Sequence, residues 1–286
     1  MNTREQDIVM IRASSLAGYS DCPRRAAGRI FPDAVNGAGY TLRPLPASIA
    51  AAVGTAVHKA AERILREKAA SGVTPSEAEA AETAVSTLHE RAALGLLYDR
   101  DTPTLGDAER QVQRMAAVYH RDVAPEVTPV LVEERLESEI APGVILSGQM
   151  DVIAGAPNRV RDLKTGKSPA AARAQLGAYA LLARAHGLEI TGVMIDFIRR
   201  VPCRLPQPGV LSFTYDPAEC ENAAIAVARN IASDLRSFRL GDPKAGLLPG
   251  DPWAFPANPN SKLCGDKWCG AFGTVFCREH ATQQIV

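Results

Sequence analysis

Aromatic residues make up only 5% of this 286-residue chain, and its charges cancel, with 32 Lys and Arg against 32 Asp and Glu. The first shortage excludes a core or binding face dominated by rings. The second excludes a global basic field that would draw in a nucleic acid from a distance, so any such partner must be met by local patches. No stretch approaches the ~20 apolar residues of a membrane span. The charged start Met1-Asn-Thr-Arg-Glu-Gln-Asp7 also lacks the apolar core of a secretory signal. The expectation is a cytoplasmic protein with no membrane partner. In such a reducing compartment cysteines serve metals or catalysis more often than disulfides. Internal repeats and low-complexity tracts are missing too, beyond a bias to alanine. What remains, 46% hydrophobic and 22% charged, is the composition of an ordinary globular protein.

The spacing predicts a helix from Ser14 or Ser15 to about residue 30, a serine its N-cap, with Leu16, Tyr19 and Cys22 at intervals of three. A Pro- and Gly-marked loop follows. Over 48–70, Ile49, Val53, Val57, Ala61, Ile64 and Leu65 recur with helical spacing, and Gly54 and His58 share one face. Helices over 76–98 and 106–123 complete an alanine-rich block. From Val130 the period shifts to two, predicting strands over 130–140, 144–154 and 159–164, the last two joined by a turn at Gly155-Ala-Pro-Asn158. A helix over 169–186, a strand over 191–200, an edge strand over 209–215 and a long helix over 217–240 capped by Asp216 follow, then an irregular stretch over 241–261. The expected fold is α/β. We expect one domain over 1–286, with a helical part at 13–124 and a sheet core at 130–240 completed by helix 48–70.

Alternation along a strand puts Asp162 and Lys164 on one face, and the turn at 155–158 lays the preceding strand antiparallel, bringing Asp151 near Asp162. Two carboxylates so placed repel unless a cation lies between them, and hard oxygen ligands suit Mg²⁺ or Mn²⁺. A nitrogen ligand from His58 tilts the choice toward Mn²⁺. Phosphodiester hydrolysis needs such an ion to activate water and a cation, here Lys164, to offset charge at phosphorus. Gln175 and Tyr179, four apart on the next helix, offer an amide and a phenol to the same edge.

Cys22 stands near the start beside Pro23, Arg24 and Arg25, while Cys264, Cys269 and Cys277 crowd the tail. Four thiolates hold either a 4Fe-4S cluster or a tetrahedral Zn²⁺, and spacing alone does not decide. Such a centre would pin the segments 14–30 and 261–280 together. Cys203 and Cys220 have no partner at metal spacing and read as small structural residues; His89, His120 and His186 read as surface or packing residues, and His280 as a stand-in for a thiolate at most. Arg24, Arg25, Arg199 and Arg200 are candidate phosphate contacts.

Gly54-x-x-x-His58, Gly148-x-x-Asp151, Asp162-Leu-Lys164-Thr-Gly-Lys167 and Gln175-x-x-x-Tyr179 resemble the successive motifs of the RecB-type branch of the PD-(D/E)XK nuclease superfamily. Ala13-Ser-Ser-Leu-x-x-Tyr-Ser-Asp-Cys-Pro-Arg-Arg25 resembles the opening of its iron-sulfur members, the AddB-like and CRISPR-associated exonucleases and related phage enzymes. The resemblance implies a restriction-endonuclease-like αβββαβ core. It also implies His58, Asp151, Asp162 and the main-chain carbonyl of Leu163 as metal ligands, Lys164 as catalytic, and Gln175 and Tyr179 as supports for DNA contact. By the same resemblance Cys22, Cys264, Cys269 and Cys277 hold a 4Fe-4S cluster. Met150 stands where the superfamily name has proline, and the acidic residue of the third strand is Asp162 rather than Glu. The function so implied is a metal-dependent DNA exonuclease acting on single-stranded or frayed ends. The alternative is a non-catalytic DNA-end binding subunit of a recombination or CRISPR-adaptation complex.

Overall fold

The computed structural model describes residues 8–169 and 172–280, the side chains of 278–280 excepted. The charged start, Ala170 and Ala171 of the expected helix over 169–186, and the His280 side chain therefore lie outside the described residues. The elements run β1 (Val9–Arg12), α1 (Ala13–Tyr19), α2 (Pro23–Ile30), α3 (Pro32–Gly37), α4 (Ile49–Ser71), α5 (Glu77–Ala92), α6 (Leu105–Val118), β2 (Pro129–Ala141), β3 (Val144–Ala154), β4 (Arg159–Gly166), α7 (Arg173–Ala185), β5 (Gly192–Arg199), β6 (Leu211–Tyr215) and α8 (Pro217–Leu240). No described helix is long and apolar enough to cross a membrane.

Helix starts follow local chemistry. Ser48 accepts from the Ala51 N–H at the head of α4, Ser76 and Glu79 form a reciprocal capping box on α5, and Asp216 caps α8 through the Glu219 N–H. Each such cap contributes about 1 kcal/mol. Four expectations need correction. The helix over 76–98 stops at Ala92, and α3 forms at the start of the expected loop after residue 30. The helix over 14–30 is two helices, because Pro23 lacks an N–H and occupies the first turn of α2, leaving Cys22 as an extended N-cap residue. The helix over 106–123 keeps α geometry only to Val118; a π turn (Tyr119–Val123) and a 3-10 turn (Ala124–Glu126) finish it, and Lys68 Nζ donates to the loosened Ala124 carbonyl at 2.6 Å. Short β1, four residues of alternating burial, was not expected.

The strands form one mixed sheet in the order β1-β3-β4-β5-β6, with β2 antiparallel on the other edge of β3. Alternation along β5 sorts the residues: Val193, Ile195 and Phe197 point into a core layer shared with α1, α7 and α8, and Ile198 into a second layer shared with α4, α5 and α6. The sheet is thus covered on both faces except at its β1 end, where Met10, Arg12 and Arg135 are exposed on one face. In the first layer α7 and α8 meet at Gly177, where a Cβ would stand 1.9 Å from the Cys220 carbonyl oxygen. Buried Cys220 is part of this close crossing, in keeping with its structural reading.

Candidate active site

The site forms where the sheet splits. On one edge of β3, β1 pairs with Val144 to Ser147 and β4 pairs only with Val152 to Ala154. Between these pairings the stretch from Gly148 to Asp151 has no ladder partner on that edge, while β4 runs on beside β5 to Gly166. Asp151 fills the fork, its Oδ2 accepting the Leu163 N–H at 2.6 Å in place of a ladder bond. Gly148 lets α7 close over it, since a Cβ would lie 2.9 Å from both Tyr179 and Leu182.

The predicted side chains converge in this fork as two linked strings. His58, brought by α4, holds Asp151 Oδ1 at 3.2 Å through Nδ1. On the α7 side, Lys164 Nζ lies 2.7 Å from Asp162 Oδ2 and donates to Gln175 Oε1 at 3.0 Å, and Gln175 Nε2 donates to the Tyr179 hydroxyl at 2.8 Å. The Lys164–Asp162 pairing is ionic without hydrogen-bond geometry, so this buried Asp162 oxygen has no hydrogen-bond partner among the described residues.

Sequence reasoning missed Glu133. The β2–β3 ladder passes from Val132↔Val152 to Glu134↔Met150, and Glu133 between them adopts a left-handed φ of 51°. A bulky residue in that conformation costs about 1–3 kcal/mol and persists only where its surroundings enforce it. Here Gln149 Nε2 donates to Glu133 Oε2 at 2.8 Å. Ligand atoms of His58, Glu133 and Asp151 all lie within 4.8 Å of one another, the one such group among the described residues. Glu133, rather than Asp162, completes that trio.

The electrostatics show an excess of negative charge. Burial, reinforced by Asp151, pushes the Glu133 carboxyl up to about 7. Burial also pushes Asp162 to about 6, with Lys164 opposing and Asp151 adding to the rise. Burial acts against the charged forms of His58 and Asp151 as well. Their attraction outweighs it, raising His58 and holding Asp151 below the usual carboxylate range, with help from Lys164 and the Leu163 N–H. Three carboxylates facing one ammonium and one imidazole suit a divalent cation, and the buried Asp162 oxygen, held only by the Lys164 ion pair, fits a cation ligand.

A second convergence lies in the tail. Cys22, Cys264, Cys269 and Cys277 line one small cavity together with Arg25, Ser261 and Phe272. Cys22 Sγ accepts the Asn258 N–H at 3.4 Å, and Cys269 receives the N–H groups of Ala271 and Phe272. Burial raises the Cys264, Cys269 and Cys277 thiols, the last to about 11. Two of the four proposed phosphate-binding arginines brace this lobe instead. Arg24, 2% exposed, donates to the Phe255 and Pro252 carbonyls at 3.0 Å each, and Arg25, 7% exposed, pairs with Asp21 at 2.7 Å. Arg200 is also buried, on Asp99 at 2.6 Å, whereas Arg199 is exposed and holds the Lys167 carbonyl. Cys203 donates to the Asp107 carbonyl, away from the cavity. His89 pairs with Glu109, His120 with the Pro75 carbonyl and His186 with the Leu182 carbonyl, all outside the site.

With a split sheet carrying carboxylates, lysine and glutamine at its fork, the chain belongs to the PD-(D/E)XK nuclease superfamily, whose family model matches residues 12–271. A solved structure from Eubacterium rectale, of a protein provisionally assigned as an exonuclease, is similar over 82% of this chain and 83% of its own, with a TM-score of 0.52 at 12% identity. A second, SSO0001, aligns with 78% of this chain and 87% of its own at 12% identity and a TM-score of 0.30. The search of curated proteins finds no match.

Proposed function

We propose that this chain is a divalent-metal-dependent DNA exonuclease working on single-stranded or frayed ends in the cytoplasm. The observation that carries the reading is the fork itself, which joins His58, Glu133 and Asp151 on one side to Asp162, Lys164, Gln175 and Tyr179 on the other. His58, Glu133, Asp151 and Asp162 would hold Mg²⁺ or Mn²⁺. When bound, such an ion activates water and polarises the phosphate. The remaining work falls to the chain. Gln175, held by Tyr179, fixes the Lys164 ammonium beside Asp162, where it offsets charge accumulating on the phosphoryl oxygens. The Leu163 N–H anchors Asp151 so that its other oxygen faces His58. The exonuclease designation of the Eubacterium rectale structure agrees with this reading.

The cysteine cavity supports a 4Fe-4S cluster over zinc. A tetrahedral Zn²⁺ with bonds of ~2.3 Å brings its sulfurs to about 3.8 Å from one another, yet no three of these sulfurs fall within 4.8 Å among the described residues. The N–H groups aimed at Cys22 and Cys269 suit thiolate ligands.

Labelled single-stranded DNA incubated with the protein and Mn²⁺ tests the activity. Lys164→Ala should lower cleavage by ~10²-fold or more while leaving the melting curve and DNA binding in place. Undiminished cutting by that variant overturns the assignment.

A further inference from the structure

Alongside the fork lies a groove of about 740 Å³. Its floor is the open face of β1, β2 and β3, with Met10, Arg12, Arg135 and Ser147, and its wall is the α2–α3 segment with Arg29 and Ile30. The two sites are continuous. Arg135 donates to Ser147 Oγ at 3.1 Å and to Gln149 Oε1 at 3.2 Å, and Gln149 in turn holds Glu133. From Asp151 to Ser147 along β3 is about 13 Å at ~3.3 Å per residue, and Arg12 stands beside Ser147 in the β1–β3 register.

Three exposed guanidinium groups therefore line a track leading away from the fork. Arg135 is bound to neutral partners, and neither Arg12 nor Arg29 makes an ion pair or side-chain hydrogen bond among the described residues. Asp33 and Glu137 also border the groove, without pairing to these arginines. In a chain of zero net charge, unneutralised arginines gathered on one concave surface are the kind of local patch an anionic polymer requires. The volume lies in the range of small-ligand pockets, ~300–1,000 Å³, which admits a few nucleotides of single strand and not a duplex. No aromatic ring is among its lining residues, so the groove lacks the stacking platforms that grip bases.

We propose that this groove holds the phosphate backbone of the DNA strand running into the fork, with Arg12, Arg29 and Arg135 as its contacts, and that it selects single strands. This rests on the nuclease reading of the fork. Phosphate contacts of this kind position the strand without reading sequence.

The test uses the full chain, isolated anaerobically, and a fluorescent oligothymidylate in Ca²⁺ buffer, with binding followed by anisotropy as salt is varied. Arg12→Ala/Arg29→Ala should weaken binding and reduce the slope of log K against log salt by about 1.4, because each phosphate that an arginine neutralises on a single strand adds ~0.7 to it. Arg12→Glu/Arg29→Glu should weaken it further, with the melting curve of both variants unchanged. Hydrolysis of a dinucleoside phosphate in Mn²⁺, which occupies only the fork, should remain at the wild-type rate. If the wild type cleaves DNA and both variants keep its affinity and slope, the groove proposal is overturned while the nuclease reading stands. Equal binding of a duplex of the same length, with equal weakening on substitution, overturns the single-strand selection. If the wild type cleaves neither substrate, it is the nuclease reading that fails.

Discussion

The fork and the cysteine cavity are built on opposite plans. Both gather side chains from distant parts of the chain into one buried spot, yet the fork sits on strands and long helices anchored by two apolar layers. The cavity hangs on an N-cap residue, a run of turns and a 3-10 segment broken at Cys277, with φ −130° and ψ 58°. At the fork the scaffold holds a strained Glu133 beside the competing carboxylates of Asp151 and Asp162. At the cavity the chain supplies arginine-to-carbonyl bonds, Asn258 and Ser261 bonded to Asp21, and the packing of Phe255, Ala271, Phe276 and Cys277 into the edge of the first core layer, but no long helix or strand among the described residues of the tail. On the proposed reading, the first centre would be preorganised by the fold for an ion, and the second would draw more of its order from the ligand it holds.

That contrast breaks most visibly at Cys269. In small metal-stabilised domains ligand binding amounts to ~10 kcal/mol or more of folding free energy. Cys269→Ser should therefore cost several kcal/mol, remove visible absorbance and iron, and lower the melting temperature. A variant with an unchanged spectrum and melting curve would show that the lobe stands without a cluster.

Glu133 supplies the opposite result. Replacing it with Asn, which tolerates left-handed backbone far better, should stabilise the metal-free protein by about 1 kcal/mol through relief of strain. The same change should abolish the rise in melting temperature that Mn²⁺ gives the wild type. One substitution would then raise stability and remove ion binding together. If Mn²⁺ still stabilises Glu133→Asn as it does the parent, Glu133 is no ligand and the trio with His58 and Asp151 is coincidental.

Much of the fork was legible in the sequence because its parts obey local rules. Period two put Asp162 and Lys164 on one face, the turn at 155–158 brought β3 back beside β4, and a four-residue interval paired Gln175 with Tyr179. Glu133 was not legible, since nothing in Val-Leu-Val-Glu-Glu marks which acid takes a left-handed backbone within the β2–β3 ladder. Buried arginines were equally hidden. The carbonyls that satisfy Arg24 come from Pro252 and Phe255, over two hundred residues away, so a pair that reads as candidate phosphate contacts becomes the brace of the cysteine lobe. The break between α1 and α2 was written in Pro23, and only the helical spacing of Leu16, Tyr19 and Cys22 concealed it.

The smallest effect separates packing from ligation at the cysteine lobe. Three residues before Cys22, the Tyr19 hydroxyl donates to Asp234 on α8, tying α1 to the first core layer independently of any cluster. Burial raises the Asp234 carboxyl, an effect that hydrogen bond only partly offsets. An acid whose pKa is raised by folding contributes its full stability while protonated, below the ordinary carboxylate range, and loses it as pH climbs through the folded value. Asp234→Asn keeps an acceptor for Tyr19 and cannot ionise. The variant should match the wild type in urea unfolding near pH 3 and exceed it at pH 7, by less than about 1 kcal/mol, with absorbance and iron content untouched. A loss of iron in Asp234→Asn would mean that α1 reaches the cavity through this hydrogen bond, making the lobe more preorganised than its irregular backbone implies. Retention of iron, set against its loss in Cys269→Ser, would assign the order of the lobe to the ligand it binds.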